Sequence, residues 1–253
     1  MNYEIIFSYF INSIFAMGWG SFATMAVYRL ANNEPWIGRR PFCPSCKHNL
    51  SFIDYISIIS YFLHGGKCRY CKAEYEYRNI YFATELLILI YFTVSFYFNK
   101  FDEIYILNAG IIISAVIYSV IYFITQKSSG KMLIMLFFCV CLKRVYLDDT
   151  IYDFFYGALL LSLFAILIRY LYFFISGNLK EASDFLEFKP EDRFANNSFV
   201  PVKIAFICGA MLGATNINLE AVLILSSSFF IFPKLKYSVA IFVNMIVIFS
   251  IFI

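Results

Sequence analysis

Four cysteines in one polar segment carry the strongest chemical signal in the sequence. They form two C-x-x-C pairs, Cys43-Pro-Ser-Cys46 and Cys68-Arg-Tyr-Cys71, separated by 21 residues. Two such pairs at this spacing can present four thiolates tetrahedrally to one Zn²⁺. Because four thiolates leave no position open for substrate, a zinc ion here would be structural. It would hold together a loop that has little core of its own.

The charges around the cysteines favour a metal, because basic side chains offset the negative charge of a four-thiolate centre. Those side chains are Lys47, Lys67, Arg69 and Lys72. A pair of disulfides and a degenerate site without metal are the alternatives, and a cytoplasmic location would disfavour the disulfides. The only histidines, His48 and His64, fall in the same segment. We interpret both as surface residues, since four cysteines already complete a ligand set.

The other three cysteines lie in apolar runs, and we expect them to be small buried hydrophobic residues. They are Cys139, Cys141 and Cys208.

An unusually apolar composition predicts the elements that must position the four cysteines. Of 253 residues, 61% are hydrophobic and only 15% are charged, and the mean hydropathy is +0.72. A soluble domain of this size could not hide so much apolar surface. The composition therefore predicts a polytopic membrane protein whose partner is the lipid bilayer. It excludes a disordered tail, a nucleic-acid-binding protein and a disulfide-stapled secreted module.

Apolar runs long enough to span a bilayer recur along the chain, at about 20 residues per span. We place them at 5–27, 80–98, 104–124, 132–147, 151–175, 199–217, 218–232 and 236–253. The predicted fold class is thus an all-α membrane helix bundle of about eight spans, with seven as the alternative. Three parts follow: a first transmembrane helix at 1–27, a four-cysteine domain at 28–79, and a bundle at 80–253 with a charged loop at 176–198.

Lysine and arginine in the short loops predict the orientation. The 28–79 loop is rich in both, and the basic signal alternates between later loops. This pattern predicts a cytoplasmic four-cysteine loop, a cytoplasmic 176–198 loop and an external amino terminus. Lys143 and Arg144 then lie towards the opposite side, and we expect them to snorkel to the interface.

Several stretches resemble one bacterial family. Gly20-Ser21-Phe22 followed by Val27-Tyr28-Arg29-Leu30 is similar to the end of the first helix of type IV prepilin peptidases. The tetrad follows at the expected distance, Asp54–Cys71 resembles the stretch between the family's cysteine pairs, and Arg78–Leu87 resembles the start of its second helix. The resemblance covers roughly residues 18–90.

This resemblance implies a bacterial inner-membrane enzyme that cleaves the leader peptide from type IV prepilins or pseudopilins. It also implies N-methylation of the new terminus with S-adenosylmethionine, and structural zinc on Cys43, Cys46, Cys68 and Cys71. In the family, cleavage uses two aspartates on separate helices. Paired carboxyls of this kind share a proton, so that one activates water and the other polarises the peptide carbonyl.

The sequence departs from the family at both aspartate positions. Thr125 stands where the first aspartate is expected, at the end of the third long apolar run. Pro201 stands at the second, and the glycines of the family's G-x-G-D motif are missing as well. Neither side chain can act as a carboxylate acid or base. We therefore assign no catalytic residue and no cofactor-binding residue from the sequence.

The remaining carboxylates offer no obvious replacement pair. Asp184 and Asp192 fall on the cytoplasmic side, in a loop that we interpret as solvated, and Asp54 lies in the cysteine loop. Four others are predicted to be external: Asp102, Asp148, Asp149 and Asp153. Glu85 is the one carboxylate near the middle of an apolar run, where an ionisable group invites a functional interpretation. Arg169 could pair with it or snorkel.

Three hypotheses follow for function. The first is an active prepilin peptidase whose catalytic carboxylates lie elsewhere in the chain. The second is a catalytically inactive homologue, either a membrane binding or scaffold protein or a decaying gene product. The third is a transporter or channel, which would need several polar residues at the bilayer midplane. The runs offer few such residues, and interhelical hydrogen bonds explain Asn12 and Asn244.

Overall fold

The computed structural model describes residues 3–36, 40–51, 54, 57–147, 151–175, 200–213 and 247. In this part of the chain every regular secondary-structure element is an α-helix. We number the helices α1 Tyr3–Ala31, α2 Ser57–His64, α3 Arg78–Asn99, α4 Glu103–Thr125, α5 Gly130–Tyr146, α6 Ile151–Ile175 and α7 Val200–Leu212. The all-α prediction is confirmed for these residues. The predicted spans at 218–232 and 236–253 lie outside them, apart from Val247, as do the loop at 176–198 and Asn244.

Among the described residues, three helices are long and apolar enough to cross a membrane, namely α1, α3 and α4. The central one is α4, which packs against α1, α3 and α5. Its buried face is continuous and almost wholly apolar from Ile111 to Tyr122. By contrast, α1 exposes large apolar side chains such as Phe7 and Phe10. This distribution fits a bundle whose outer surface faces lipid rather than water.

Hydrogen bonds between helices use the polar residues of the apolar runs. The Tyr105 hydroxyl donates to Asn12 Oδ1 at 2.6 Å, which joins α4 to α1. This contact confirms the interhelical interpretation of Asn12. Such a bond between described helices gives a buried polar atom the partner that lipid cannot provide.

Lys143 and Arg144 do not snorkel, because other helices supply partners for both side chains inside the bundle. The Lys143 ammonium is fully buried and donates to Asn108 Oδ1 at 3.0 Å. The Arg144 guanidinium donates to Asp153 Oδ2 at 2.7 Å. The expectation that these cations reach the interface is therefore wrong, because both are buried and are hydrogen-bonded inside the bundle instead of being hydrated.

The close contact between α6 and α7 is made possible by glycine. Gly157 and Gly209 face each other so closely that a Cβ on either would collide with the partner's backbone. The helix α7 then ends at Leu212, and Gly213 adopts φ +71°. The sixth apolar run, predicted to span 199–217, is therefore shorter as a helix, because a left-handed glycine at the C′ position ends it.

Candidate metal centre and adjoining cavity

The two C-x-x-C pairs are built in the same way, within the cysteine loop (residues 32–77). In the first, the Cys43 N–H donates to His48 O and the Lys47 N–H returns to Cys43 O, each at 2.9 Å. In the second, the Cys68 and Lys72 N–H groups repeat this pattern at the same distances. Each turn is closed by an isolated antiparallel bridge, and its lysine is left-handed, with φ near 60°. The repeated geometry aims both sulfurs of each pair in one direction.

The four sulfurs meet in one cluster that could hold a metal ion. The Sγ atoms of Cys43, Cys46, Cys68 and Cys71 all lie within 4.8 Å of one another. The Sγ atoms of Cys43 and Cys71 are 3.9 Å apart. A tetrahedral zinc with bonds of about 2.3 Å would place its sulfurs about 3.8 Å apart, so the donor set fits zinc in kind and spacing. All four cysteines are free thiols in the structure.

The thiols differ in exposure and in proton affinity. Cys43 and Cys68 are buried, whereas Cys46 and Cys71 are exposed. Burial tends to raise the pKa of the Cys68 thiol, but N–H groups of Cys71 and Tyr70 outweigh it and lower that pKa to about 6. The neighbouring thiols hold the pKa of Cys71 at about 11, despite the opposing Ala73 N–H.

Neither histidine joins the sulfurs. The His48 ring packs on the Tyr70 ring, with centroids 3.7 Å apart. The His64 Nε2 atom lies 3.9 Å from Asp54 Oδ1. His48 is exposed, in agreement with the sequence-based interpretation, whereas His64 is half-buried. Both rings brace the loop around the cluster.

Asp54 is buried and connects separate parts of the loop. Its Oδ2 atom accepts from the Ser51 hydroxyl at 2.6 Å and from the Ser51 N–H at 3.1 Å. Burial tends to raise the pKa of Asp54, but these bonds, with Arg69 and His64 nearby, lower it overall. Asp54 is therefore a structural carboxylate that remains charged when the loop is folded.

A cavity of about 1170 Å³ lies between the cysteine loop and the ends of three helices. The last turns of α1, the first turn of α3 and the end of α4 supply its walls, and the connection to α5 completes them. Four carboxylates line it: Glu34, Asp54, Glu74 and Glu76. Four cations line it as well: Arg29, Arg78, Lys127 and Lys131. Two of these lining groups, Glu74 and Arg78, already have ionic partners. Glu74 pairs with Lys67 at 3.0 Å and lies near Arg78.

One wall of the cavity is aromatic and acidic. Tyr28 lies in the last turn of α1, Tyr77 directly precedes α3, and Tyr81 lies in the first turn of α3. Glu34 and Glu76 lie near these tyrosines. The carboxylate of Glu76 accepts a hydrogen bond from the Tyr77 hydroxyl, and this raises the pKa of Tyr77. Tyrosine faces combined with carboxylates suit an organic cation better than an anion.

Thr125 lies on the cavity wall, at the last residue of α4. Its hydroxyl donates to Ile121 O at 2.8 Å and accepts from the Lys127 N–H at 3.2 Å. The side chain therefore serves its own helix terminus. Pro201 is the second residue of α7, where the fixed φ of proline suits a helix start.

Three described carboxylates elsewhere have structural partners. Glu85 is fully buried, and it accepts from the Ile58 N–H at 2.7 Å and the Ser21 hydroxyl at 3.3 Å. Asp153 pairs with Arg144, and Asp102 caps the start of α4. Four further side chains named from the sequence lie outside the described residues, namely Asp148, Asp149, Asp184 and Asp192, and so does the side chain of Arg169.

Comparison with known proteins covers the part of the chain that contains the cysteine loop. Residues 14–99 match the bacterial peptidase A24 N-terminal domain. Over 86 residues the chain is 33% identical to the prepilin leader peptidase/N-methyltransferase of Vibrio cholerae serotype O1. That alignment covers 31% of this chain and 33% of the relative, so the chain spans about a third of the relative's length. No solved structure matches the chain.

The fold and the cluster define a helical membrane protein with a four-cysteine loop. The two matches support the type IV prepilin peptidase family, which confirms the resemblance that the sequence motifs indicated. The matched residues contain α1 from residue 14 onward, the cysteine loop and α3. They end before Thr125 and Pro201, so the two positions that depart from the family's motifs lie beyond the match.

Proposed function

We propose that this chain is a prepilin peptidase-like integral membrane protein that binds the leader peptide of type IV prepilins or pseudopilins in the cavity beside the cysteine loop. The observation that carries the proposal is the composition of that cavity. Its walls join the family-matched residues of α1, the loop and α3 to Thr125 on α4. A peptide held there would lie against the position where the family places its first catalytic aspartate.

The family's cleavage chemistry needs two carboxylates that share a proton. Thr125 supplies a hydroxyl that is already used within its helix terminus, and Pro201 supplies no titratable group. This observation favours a second candidate function, in which the chain is a catalytically inactive homologue that acts as a membrane binding or scaffold protein. On that proposal, leader peptides bind at the cavity and leave uncut.

Zinc is proposed as a structural cofactor held by Cys43, Cys46, Cys68 and Cys71. The geometry of the donor set supports it, because four thiolates at these spacings match a closed tetrahedral site. A bound ion would supply only a cross-link between the two halves of the loop. The backbone hydrogen bonds of each turn orient the sulfurs, and the loop in turn forms one wall of the cavity.

For the case of an active peptidase we propose methyl transfer to the new terminus in addition, with S-adenosylmethionine as the donor. The name of the Vibrio cholerae relative includes N-methyltransferase, and the residues that match the family's N-terminal domain include the cysteine loop. The aromatic and acidic wall of the cavity would suit a sulfonium cation. We propose further that the chain resides in the bacterial inner membrane with the cysteine loop on the cytoplasmic side.

Prepilin processing in membranes tests these functions. The chain is produced with a prepilin in a host that lacks its own peptidase, and the pilin is followed by gel mobility and mass. The Vibrio cholerae relative serves as the active control. We expect no mobility shift from this chain, because no carboxylate pair stands at the motif positions. Cleavage by the chain would reject the proposal of an inactive homologue and would support an active peptidase.

A further inference from the structure

The short helix α2 has a polar, docked side and a bare apolar side. Ser60 is buried against the protein, and Tyr61 packs on Phe82 of α3 with ring centroids 4.7 Å apart. The next two residues, Phe62 and Leu63, are 76% and 62% exposed. Adjacent exposed residues of this size are unusual on a surface that faces water.

The position of α2 along α3 indicates what covers this apolar side. The N–H of Ile58, the second residue of α2, donates to Glu85, which lies in the second turn of α3. Phe62 also contacts Phe82, with centroids 6.1 Å apart. The helix α2 therefore lies beside the first turns of a helix that is long and apolar enough to cross a membrane.

The apolar side of α2 continues the outer surface of α3. Phe82, Leu86 and Ile90 follow one another at four-residue intervals, so they form one row along α3. Leu86 and Ile90 are exposed, as expected for side chains that face lipid in a membrane-spanning helix. Because Phe62 contacts Phe82, the first residue of this row, Phe62 and Leu63 add to the same apolar surface.

We propose that α2 is an interfacial helix whose Phe62 and Leu63 side chains insert into the bilayer at the boundary between head groups and acyl chains. Helices with one apolar face bind membranes in this way. The insertion holds the cysteine loop against the bilayer, and the cavity beside it then opens at the membrane surface. The proposal needs only that α3 spans a membrane, and it does not depend on the proposed function.

Photocross-linking in native membranes tests this placement. Benzoylphenylalanine is introduced separately at Leu63, at Ile90 as the lipid-facing control, and at Ser45, an exposed residue of the first C-x-x-C turn. After irradiation, the intact mass of the purified full chain reports any lipid adduct. We expect lipid adducts from positions 63 and 90 and none from position 45.

Each other outcome contradicts the proposal. An adduct at position 90 without one at position 63 would mean that α2 faces water or a protein. Equal labelling at positions 45 and 63 would mean that lipid contact is not specific to α2. Absence of adducts at both 63 and 90 would reject the membrane placement of α3 on which the proposal depends. Processing of a prepilin has no bearing on any of these results.

Discussion

Glu85 of α3 accepts the backbone N–H of Ile58 at the start of α2, with 2.7 Å between the carboxylate oxygen and the nitrogen. A buried carboxylate in an apolar run thus docks the cysteine loop onto the helix bundle. The contact combines a charge-assisted hydrogen bond with the positive end of a helix dipole. Gly20 of α1 makes room for it, because a Cβ there would lie 3.0 Å from Glu85 Cγ.

Replacing Glu85 with alanine is expected to release α2 from α3. The substitution leaves the partly buried Ile58 N–H without this acceptor, at a cost of about 1 kcal/mol. Glu85→Gln keeps an acceptor oxygen and should have the smaller effect. Hydrogen–deuterium exchange of residues 57–66 in the purified protein measures the change. Unaltered exchange in Glu85→Ala would mean that the carboxylate does not hold the loop.

Zinc content reports the role of the four sulfurs. We expect about one zinc per purified chain, and a serine at Cys43 or Cys68 should lower the content severalfold, because three thiolates bind zinc less tightly than four. Cys208→Ser is the matched control, since Cys208 is equally buried but lies in α7. Elemental analysis by mass spectrometry provides the measurement. Equal zinc content in all variants would contradict the assignment.

Asp54 should make the loop sensitive to acid. Its pKa is lowered in the folded loop, so its stabilising contribution is complete above the unfolded value of 3.8 and is lost as the pH falls through the lowered folded value. Asp54→Asn should lower stability at pH 7 by about 1–3 kcal/mol and flatten this acid dependence. Thermal unfolding from pH 7 to pH 3, with zinc content measured at each pH, separates this effect from metal loss. Identical pH profiles for both proteins would exclude the role of Asp54.

Two glycines in apolar helices should respond oppositely to alanine. Gly209→Ala places a Cβ against the backbone of Gly157, so we expect a destabilisation of about 1–3 kcal/mol or more from overpacking. Gly18→Ala meets nothing within 4 Å in the described structure and gains helix propensity, by up to about 1 kcal/mol. Thermal unfolding in detergent compares the two variants. A tolerated alanine at 209 would show that α6 and α7 do not cross this closely.

The sequence predicts the long helices and the sulfur cluster well, because both depend on local patterns. Apolar runs locate α1, α3 and α4, and the C-x-x-C spacing brings four sulfurs together. The short helix α2 was not predicted. The only local signal for it is the apolar segment around Ile58, which lies inside a polar loop, and its anchor comes from Glu85, 27 residues further along.

The burial of two cations could not be predicted for a similar reason. Lys143 and Arg144 resemble interfacial residues at the end of an apolar run, but their partners lie on other helices. Asn108 is 35 residues away from Lys143, and no periodicity within α5 indicates that pairing. Contacts of this kind depend on which helix faces meet, and that is decided by packing across the whole bundle.

The central claim is that the cavity holds a prepilin leader without cutting it, and one cross-linking experiment tests both halves. Benzoylphenylalanine replaces Thr125 on the cavity wall, and the chain is produced with a prepilin in a peptidase-null host. After irradiation, one gel reports the adduct and the size of the pilin within it. The account predicts an adduct that contains full-length, unprocessed prepilin. Absence of any adduct, or an adduct accompanied by processed pilin, would contradict it.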